Sequence, residues 1–357
     1  MTFSENLNSV SAVSGSSSAR SVLQAVLETT REGVLIVEGS TRISAANRAA
    51  GKAFAWQDGT LIGKRLSEVI RNPALHEGFQ KSVQFGTSSD IRIELTDPEK
   101  HIFDVHIAPI EMDGRRYAVG VFYDVTQIER LERVRQEFLS NISHELRTPL
   151  TSIMAFVETL EDGAIDDKDN NRRFLGVIRR NAERMHVLIS DILELSSIES
   201  GNIALECKYV NVPNLVNEIF SSLASSAAAR NISLNTEMEN GARVFADPAR
   251  LDQMLTNLID NAIKFNRDNG RVTVRLVRRE KTDVLFVVDS GEGISPEHLQ
   301  RIFERFYRAD RSRAREVGGT GLGLAIVKHL ARLHGGEISV KSALGSGAAF
   351  SIELPAS

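Results

Sequence analysis

The chain has one cysteine, one tryptophan and eight prolines among 357 residues. A lone Cys207 excludes a disulfide within the chain and a cysteine-rich metal site, and it points to a reducing compartment. Basic excess is missing as well. Lys plus Arg number 43 against 47 Asp plus Glu, a net charge of −4, so the electrostatic footprint of a direct nucleic-acid binder is absent. Apolar runs such as "GVLIV" (Gly33–Val37) fall far short of the roughly 18 residues that a membrane-spanning helix needs. The opening "MTFSENLNSVSAVSGSSSAR" has neither the basic start nor the apolar core of a signal peptide, and its serine content reads as a disordered tail over residues 1–20. Together these absences predict a soluble, cytoplasmic protein without a transmembrane segment. A 42% hydrophobic and 25% charged composition is near the globular average, and the length predicts two or three domains.

Residues 21–125 read as an α+β domain. "GVLIVE" (Gly33–Glu38) is a strand candidate, "RLSEVIRN" and "ALHEGFQKSVQF" are helical, and "IRIEL", "IFDVHIAPI" and "YAVGVFYDV" form a three-strand meander. At Thr126 the period changes. Ile128, Leu131, Val134, Phe138, Ile142, Leu146, Leu150, Ile153, Val157 and Leu160 recur every three or four residues, which predicts one helix about 50 Å long with a continuous apolar stripe. "EDGAIDDKDN" interrupts it. A second stripe, Phe174 to Leu195, then ends near Gly201, a C-cap candidate. Residues 126–202 therefore read as an antiparallel helical hairpin, which buries little surface alone and is completed as a four-helix bundle in a homodimer. Residues 203–357 return to α/β alternation.

His144 stands in "NISHELRTPLTS" (Asn141–Ser152), two residues from both Ile142 and Leu146. At 100° per residue it lies about 200° from the apolar stripe and projects to the solvent side. No second histidine follows at i+3 or i+4, so a two-imidazole metal face does not form. A neutral imidazole at pH 7 offers a lone pair for nucleophilic attack, and Glu145 is expected to accept its other ring N–H. Pro149 removes the N–H that would bond the Glu145 carbonyl and is a hinge candidate.

Three further stretches suit a nucleotide. In "LTNLIDNAIKF", Asn257 and Asn261 leave one helix face at i and i+4, with Lys264 three residues on. Neutral amide oxygens suit a magnesium ion that keeps phosphate and water ligands. In "VVDSGEGIS", Asp289 ends a strand, where it can accept from an adenine amino group, and Gly291 and Gly293 let backbone approach a flat base. "GGTGLGLAIV" (Gly318–Val327) opens directly into a helix, an anion site made of backbone amides, and matches neither the Walker nor the Rossmann spacing. "RIFERFYRADRSRAREV" (Arg301–Val317) between them reads as a lid. Taken singly, each stretch is equally compatible with a solvated helix face or an ordinary turn.

In this order the stretches resemble the sensor histidine kinases of two-component systems. "FLSNISHELRTPLTSI" is similar to their H box, "LTNLIDNAIKF" to the N box, "DSGEGI" to the G1 box, "IFERFYR" to the F box and "GGTGLGLAI" to the G2 box. Residues 21–125 resemble a PAS sensor domain, with "DVT" (Asp124–Thr126) at the handover into the signalling helix. The resemblance implies three domains after the tail: an α+β PAS-like domain, an all-α dimerisation and phosphotransfer hairpin, and an α/β-sandwich ATP-binding domain of the Bergerat fold over 203–357. It further implies that His144 is phosphorylated from Mg²⁺·ATP and passes the group to an aspartate on a response regulator receiver domain. Glu145 would be the acid/base partner, and Thr148 would orient water when the regulator is dephosphorylated. Arg308 would neutralise charge on the γ-phosphoryl group. Asn261, helped by Asn257, would hold Mg²⁺, and Lys264 would contact phosphate. Asp289 would read adenine beside Phe265, Gly291 and Gly293, and Gly319, Thr320, Gly321, Leu322, Gly323 and Leu324 would cradle the phosphates. Ser290 departs from the threonine common there and keeps the hydroxyl. "EVIRNPAL", "DVTQIERLERVRQEF" and "VETLEDGAIDD" resemble the phosphate-regulon sensor kinases, which usually carry membrane helices. Here any recruitment to a membrane complex would run through a partner. The competing expectations are a non-catalytic ATP-binding adaptor or scaffold, and a chaperone or mismatch-repair ATPase, which would lack the H box.

Overall fold

The structure, a computed structural model, describes residues 25, 27–54, 60–96, 100–112, 114–167, 170–201, 203–309 and 319–356. The expected tail over 1–20 and the part of the expected lid over 310–317 lie outside them. Two compact units are present, Met1–Gln136 and Glu137–Ser357.

In the first unit, β1 (Gly33–Glu38), β2 (Ile43–Ala46), β3 (Ser89–Leu95), β4 (His101–Met112) and β5 (Arg115–Asp124) form one antiparallel sheet in the order β2-β1-β5-β4-β3. The helices α1 (Arg48–Ala53), α2 (Leu66–Val69) and α3 (Pro73–Phe85) cover its apolar face. Alternation places Phe103, Val105 and Ile107 inward on β4, where they are buried with Phe79 and Phe122. Strand β2 is an element that periodicity missed. It has four residues, and one of them, Ile43, is fully buried, too short a pattern to register. Asn47 is buried but satisfied: its Oδ1 accepts from Val34 and Ala50, and its Nδ2 donates to the carbonyls of Leu27 and Glu32. At the handover, the Thr126 hydroxyl accepts from Ile102 N–H at 2.9 Å and Thr126 N–H donates to Asp124 Oδ1 at 2.9 Å. Arg92 pairs with Asp104 and, at 2.7 Å, with Glu129 in the first turn that follows.

Helix α4 (Thr126–Thr159) runs unbroken through Pro149, which is buried, so no interruption marks the expected hinge. A π-helical turn at Leu160–Ala164, with Gly163 at φ 111°, ends it, placing Leu160 just beyond the regular helix. Helix α5 (Asn171–Glu199) returns antiparallel: Phe156 faces Phe174 at 5.4 Å between ring centroids, Ser152 accepts from Asn181, and Glu145 pairs with Arg184. Large apolar side chains of the hairpin stay open in the single chain: Leu150 and Val157 of the first stripe and, off the stripes, Met154, Leu175 and Leu193 are exposed, the last by 66%.

The remainder of the second unit is a mixed sheet, β11-β12-β10-β9-β7, covered by helices. It comprises β7 (Ser233–Glu237), β9 (Arg271–Arg278), β10 (Thr282–Asp289), β11 (Glu337–Ser342) and β12 (Ala348–Pro355), antiparallel except for the β7–β9 pair. Its helices are α6 (Val212–Ala228), α7 (Pro248–Lys264), α8 (Pro296–Leu299) and α9 (Gly323–Leu333), and a two-stranded ribbon pairs β6 (Lys208–Asn211) with β8 (Arg243–Ala246). Leu188, Leu195 and Ile198 of α5 enter the same buried cluster as Leu255, Leu258, Ile326 and Leu330, so hairpin and sheet share a core.

In the first unit, a Cβ on Gly120 would lie 2.3 Å from Cζ of the buried Phe79. Gly120→Ala is expected to destabilise that unit by about 1–3 kcal/mol through overpacking. Urea unfolding followed by backbone circular dichroism checks it, and an unchanged first transition would contradict the packing.

Candidate functional site

His144 lies on the exposed face of α4, and its ring forms no hydrogen bond among the described residues. With Arg147, Thr148, Thr151, Ser152 and Ala155 it lines an open groove along the helix, the i, i+3, i+4 neighbours of one face. The Thr148 hydroxyl is turned back to the carbonyl of His144 at 3.2 Å. Glu145 departs from expectation. Its Oε2 meets Arg184 at 3.3 Å and Arg308 at 3.6 Å, rather than the imidazole beside it. Two guanidinium groups outcompete one neutral ring N–H for a carboxylate.

The nucleotide motifs converge around α7. Met254, Leu255, Leu258 and Ile263 are buried, while Asn257 and Asn261, one turn apart at the margin of that buried face, are half-buried. The Asn257 amide oxygen would lie 3.1 Å from a Cβ on Gly323, so the asparagine faces the glycine loop at close range. Lys264 is paired with Asp260 at 2.6 Å, its i,i+4 neighbour on the helix, rather than held free for an anion. Asp289 ends β10, where its Oδ1 accepts from Gly291 N–H at 2.8 Å and Ala348 N–H at 3.2 Å. Burial pushes its carboxyl above the ordinary 3.8, against those two hydrogen bonds. Gly291 has to be small: a Cβ there would lie 2.4 Å from the Phe265 carbonyl oxygen. A Cβ on Gly293, at φ 73°, would lie 2.0 Å from the carbonyl oxygen of Ala343. The Phe265 side chain is exposed beside this loop.

The second glycine loop is held from two sides. Phe306, itself at φ 60°, donates its N–H to the Gly321 carbonyl at 2.9 Å, and Gly321 sits at φ 72°. Arg308, only 14% exposed, donates to the carbonyl of Gly319 and reaches Glu145 with the same Nη2. Thr320 donates its hydroxyl to Asp191 Oδ2 at 2.6 Å and accepts from Leu322 N–H at 3.2 Å. The Leu322 side chain is fully buried and Leu324 packs on the same core, so these two offer backbone rather than side chain to a ligand.

Several residues of this arrangement escape sequence reasoning. On α5, Asp191 holds Thr320, Glu194 holds Arg250 at 2.6 Å and Gln253, and Glu199 holds Arg305 and His329. Burial raises the Asp191 carboxyl and the nearby Glu194 charge adds to it, while the Thr320 hydroxyl opposes. Burial also lowers the His329 imidazole, with Glu199 opposing. Phe138 of α4 meets the Phe306 ring at 5.8 Å, under the Arg305 guanidinium. The signal that was available is the repeated pairing of an apolar residue with an acidic one in "SDILELSSIES".

Among the described residues no group of three or more His, Cys, Asp and Glu side chains could hold a metal ion, and no helix is long and apolar enough to cross a membrane.

Residues 246–357 match the family described as "Histidine kinase-, DNA gyrase B-, and HSP90-like ATPase". Residues 134–201 match the "His Kinase A (phospho-acceptor) domain", and residues 27–130 the "PAS fold". The chain is 34% identical over 343 residues to the phosphate regulon sensor protein PhoR of Pseudomonas aeruginosa, covering 93% of this chain and 75% of that one. It is 31% identical over 334 residues to the sensor histidine kinase WalK of Bacillus subtilis, covering 92% of this chain and 53% of that one, so it spans about half of that relative's length. The histidine kinase ThkA, solved in complex with response regulator protein TrrA, shares the fold at a TM-score of 0.51 and 22% identity, covering 93% of this chain and 98% of that one. An exposed histidine on a helical hairpin, glycine loops gathered around the asparagine helix of an ATP-binding domain, and these likenesses lead to one conclusion: the chain belongs to the sensor histidine kinases of two-component systems.

Proposed function

We propose that the chain is an ATP-dependent protein-histidine kinase that phosphorylates itself on His144 and passes the phosphoryl group to an aspartate of a response regulator receiver domain. The observation that carries this is the Arg308 guanidinium, which touches the Gly319 carbonyl of the phosphate loop and the carboxylate of Glu145, next to the nucleophile. In the first step an imidazole nitrogen of His144 attacks the γ-phosphorus, a P–N bond forms, and ADP leaves with the electron pair of the broken P–O bond. Arg308, swung from Glu145 to the transferring group, offsets its charge, and the carboxylate of Glu145 is then free to stabilise the imidazolium. In the second step the receiver carboxylate takes the phosphoryl group and neutral imidazole returns. Thr148, in the His144 groove, would hold water for dephosphorylation of the regulator.

The residues present fit Mg²⁺ carried in with ATP. Asn261, supported by Asn257, offers neutral amide oxygens, and the described residues have no acidic cage to compete for a bare ion. When bound, Mg²⁺ would supply positive charge to offset that of the phosphates. Lys264, released from Asp260, adds a point charge for phosphate, and Gly319 to Leu324 supply N–H groups at the start of α9. Asp289 accepts from the adenine amino group, between Phe265 and the backbone of Gly291 and Gly293.

The division of the chain into a tail, a PAS-like domain over 21–125, a hairpin over 126–202 and an ATP-binding domain over 203–357 belongs to the same proposal, as do a cytoplasmic location and the absence of a direct nucleic-acid partner. Phosphate-regulon signalling is the pathway we favour, supported by the likeness to the Pseudomonas protein over three quarters of that relative's length. The exposed hairpin stripe supports a homodimer, since each large apolar side chain buried stabilises by about 1.5–3 kcal/mol.

Three outcomes are expected. First, γ-³²P-labelled ATP should label the protein with acid-labile, alkali-stable phosphate, and His144→Ala should abolish it. Labelling that persists would remove the assignment, and ATP binding without any labelling would favour the adaptor reading. Second, multi-angle light scattering at micromolar concentration should give twice the chain mass, and Leu193→Glu should shift it toward the monomer. A wild-type monomer would remove the bundle. Third, the ionised Asp289 is the form that accepts from adenine, and its raised carboxyl takes up a proton at higher pH than usual. Preference for ATP over ITP should therefore be full at neutral pH and fall as pH drops toward, but still above, 3.8. Titrating the ratio of dissociation constants in wild type against Asp289→Asn cancels ionisation of the phosphates and of the adenine ring, and identical titrations in the two proteins would contradict the role.

A further inference from the structure

Asn266 follows directly on the helix that carries Asn257, Asn261 and Lys264, yet the mechanism does not use it. It is only 2% exposed. Its Oδ1 accepts from the Ser290 hydroxyl at 3.2 Å and from Arg267 N–H at 3.0 Å, and its Nδ2 donates to the Arg271 carbonyl at 3.2 Å. The Ser290 hydroxyl in turn accepts from Arg271 N–H at 2.8 Å. One buried amide therefore joins the end of α7, the start of β9 and the residue that follows Asp289. The approach is close: a Cβ on Gly270 would lie 2.2 Å from Asn266 Oδ1. Backbone reinforces the junction, with Ser290 N–H donating to the Arg271 carbonyl at 3.1 Å and Glu292 N–H reaching Phe265 at 3.4 Å.

Arg230 holds this junction from the far side. It lies in the turn after α6, and its guanidinium donates to the carbonyls of Ile263 at 2.9 Å, Lys264 at 2.8 Å and Asn266, while Nε pairs with Asp268 at 3.1 Å. The last carbonyls of a helix have no partner within it, and a rigid five-donor fork is suited to satisfy several at once. The carbonyl of Arg230 itself accepts from Asn269 N–H at 3.0 Å, closing the loop between α7 and β9.

We propose that Asn266, held by Arg230, is a positioning residue for adenine recognition, fixing where Asp289 presents its free carboxylate oxygen. The inference rests on the reading of Asp289 as the group that accepts from the adenine amino group. Oδ1 of Asp289 is committed to Gly291 and Ala348, so its partner Oδ2 is left for the base. The aim of that oxygen follows the backbone of 289–292, which the Ser290–Asn266 bond ties to α7. Hydrogen bonds weaken steeply as they bend, so a loosened loop loses the base before it loses the phosphates.

The test measures dissociation constants of ATP and ITP for the full chain, because ITP replaces the amino group with a carbonyl. Wild type is expected to prefer ATP. Asn266→Ala, Ser290→Ala and Arg230→Gln are each expected to lower that preference about tenfold, equivalent to ~1.4 kcal/mol, by weakening ATP while ITP changes little. Arg230→Lys keeps the charge without the fork and should resemble Arg230→Gln. Ser290→Ala removes a single bridging hydroxyl and decides the matter if the Asn266 variant does not fold. Preference retained in folded Ser290→Ala and Arg230→Gln would overturn the inference alone, as would an equal loss of both nucleotides. A wild type that binds ATP and ITP alike would overturn the reading of Asp289 and this inference together.

Discussion

The second hairpin helix has to satisfy two apolar surfaces at once, and the arrangement of the catalytic unit depends on that. Phe174 on α5 faces the first helix, while Leu188, Leu195 and Ile198 sink into the core of the ATP-binding sheet. A helix committed to one partner could present a single stripe; this one presents two, with acidic residues along the margin. Asp191, Glu194 and Glu199 each engage a polar group of the catalytic domain from that margin. Apolar burial supplies the attraction, and the acidic margin sets the register.

That docking also fixes the polar partners around it. Arg308 and Glu145 neutralise each other, Thr320 is tied to Asp191, and Lys264 to Asp260. The partly exposed Lys264–Asp260 pair is worth little, on the order of 1 kcal/mol or less, so its exchange for another partner costs little. The shared core is a different matter, because separating Leu195 from Leu255 and Leu258 exposes apolar surface. Reorganisation in place, with side chains swapping partners over an intact core, is the cheaper change.

Glycine matters here where backbone meets backbone. Gly291 lies against the Phe265 carbonyl and Gly293 against Ala343, so the loop after β10 is laid directly on its neighbours. Its polar tether to α7 runs through Ser290 and Asn266. Phe306 accepts a positive φ to donate to Gly321, and that backbone bond joins the aromatic F segment to the second glycine loop beside the Arg308 contact with Gly319.

The hairpin and the longer strands were legible because period is a local property. A stripe of nine apolar residues over α4, or the alternation along β4, follows from which side of an element each residue leaves. His144 facing solvent followed from the same arithmetic, as did Asn257 and Asn261 leaving one helix face together. Strands β2, β6, β7 and β8 were not legible, because each has four or five residues and pairs across loops rather than through a pattern of its own. Partner choice was beyond the sequence for a related reason. Glu145 has His144 beside it in the chain, yet folding brings Arg184 from 39 residues away, and Arg308 from the F segment, to its carboxylate. Asp191 and Thr320 stand 129 residues apart and meet at 2.6 Å. The sequence by itself determined which residue types could do the chemistry and which face each occupies. Tertiary structure alone decided which charges meet, because a carboxylate takes the strongest donor that packing delivers rather than the nearest one along the chain.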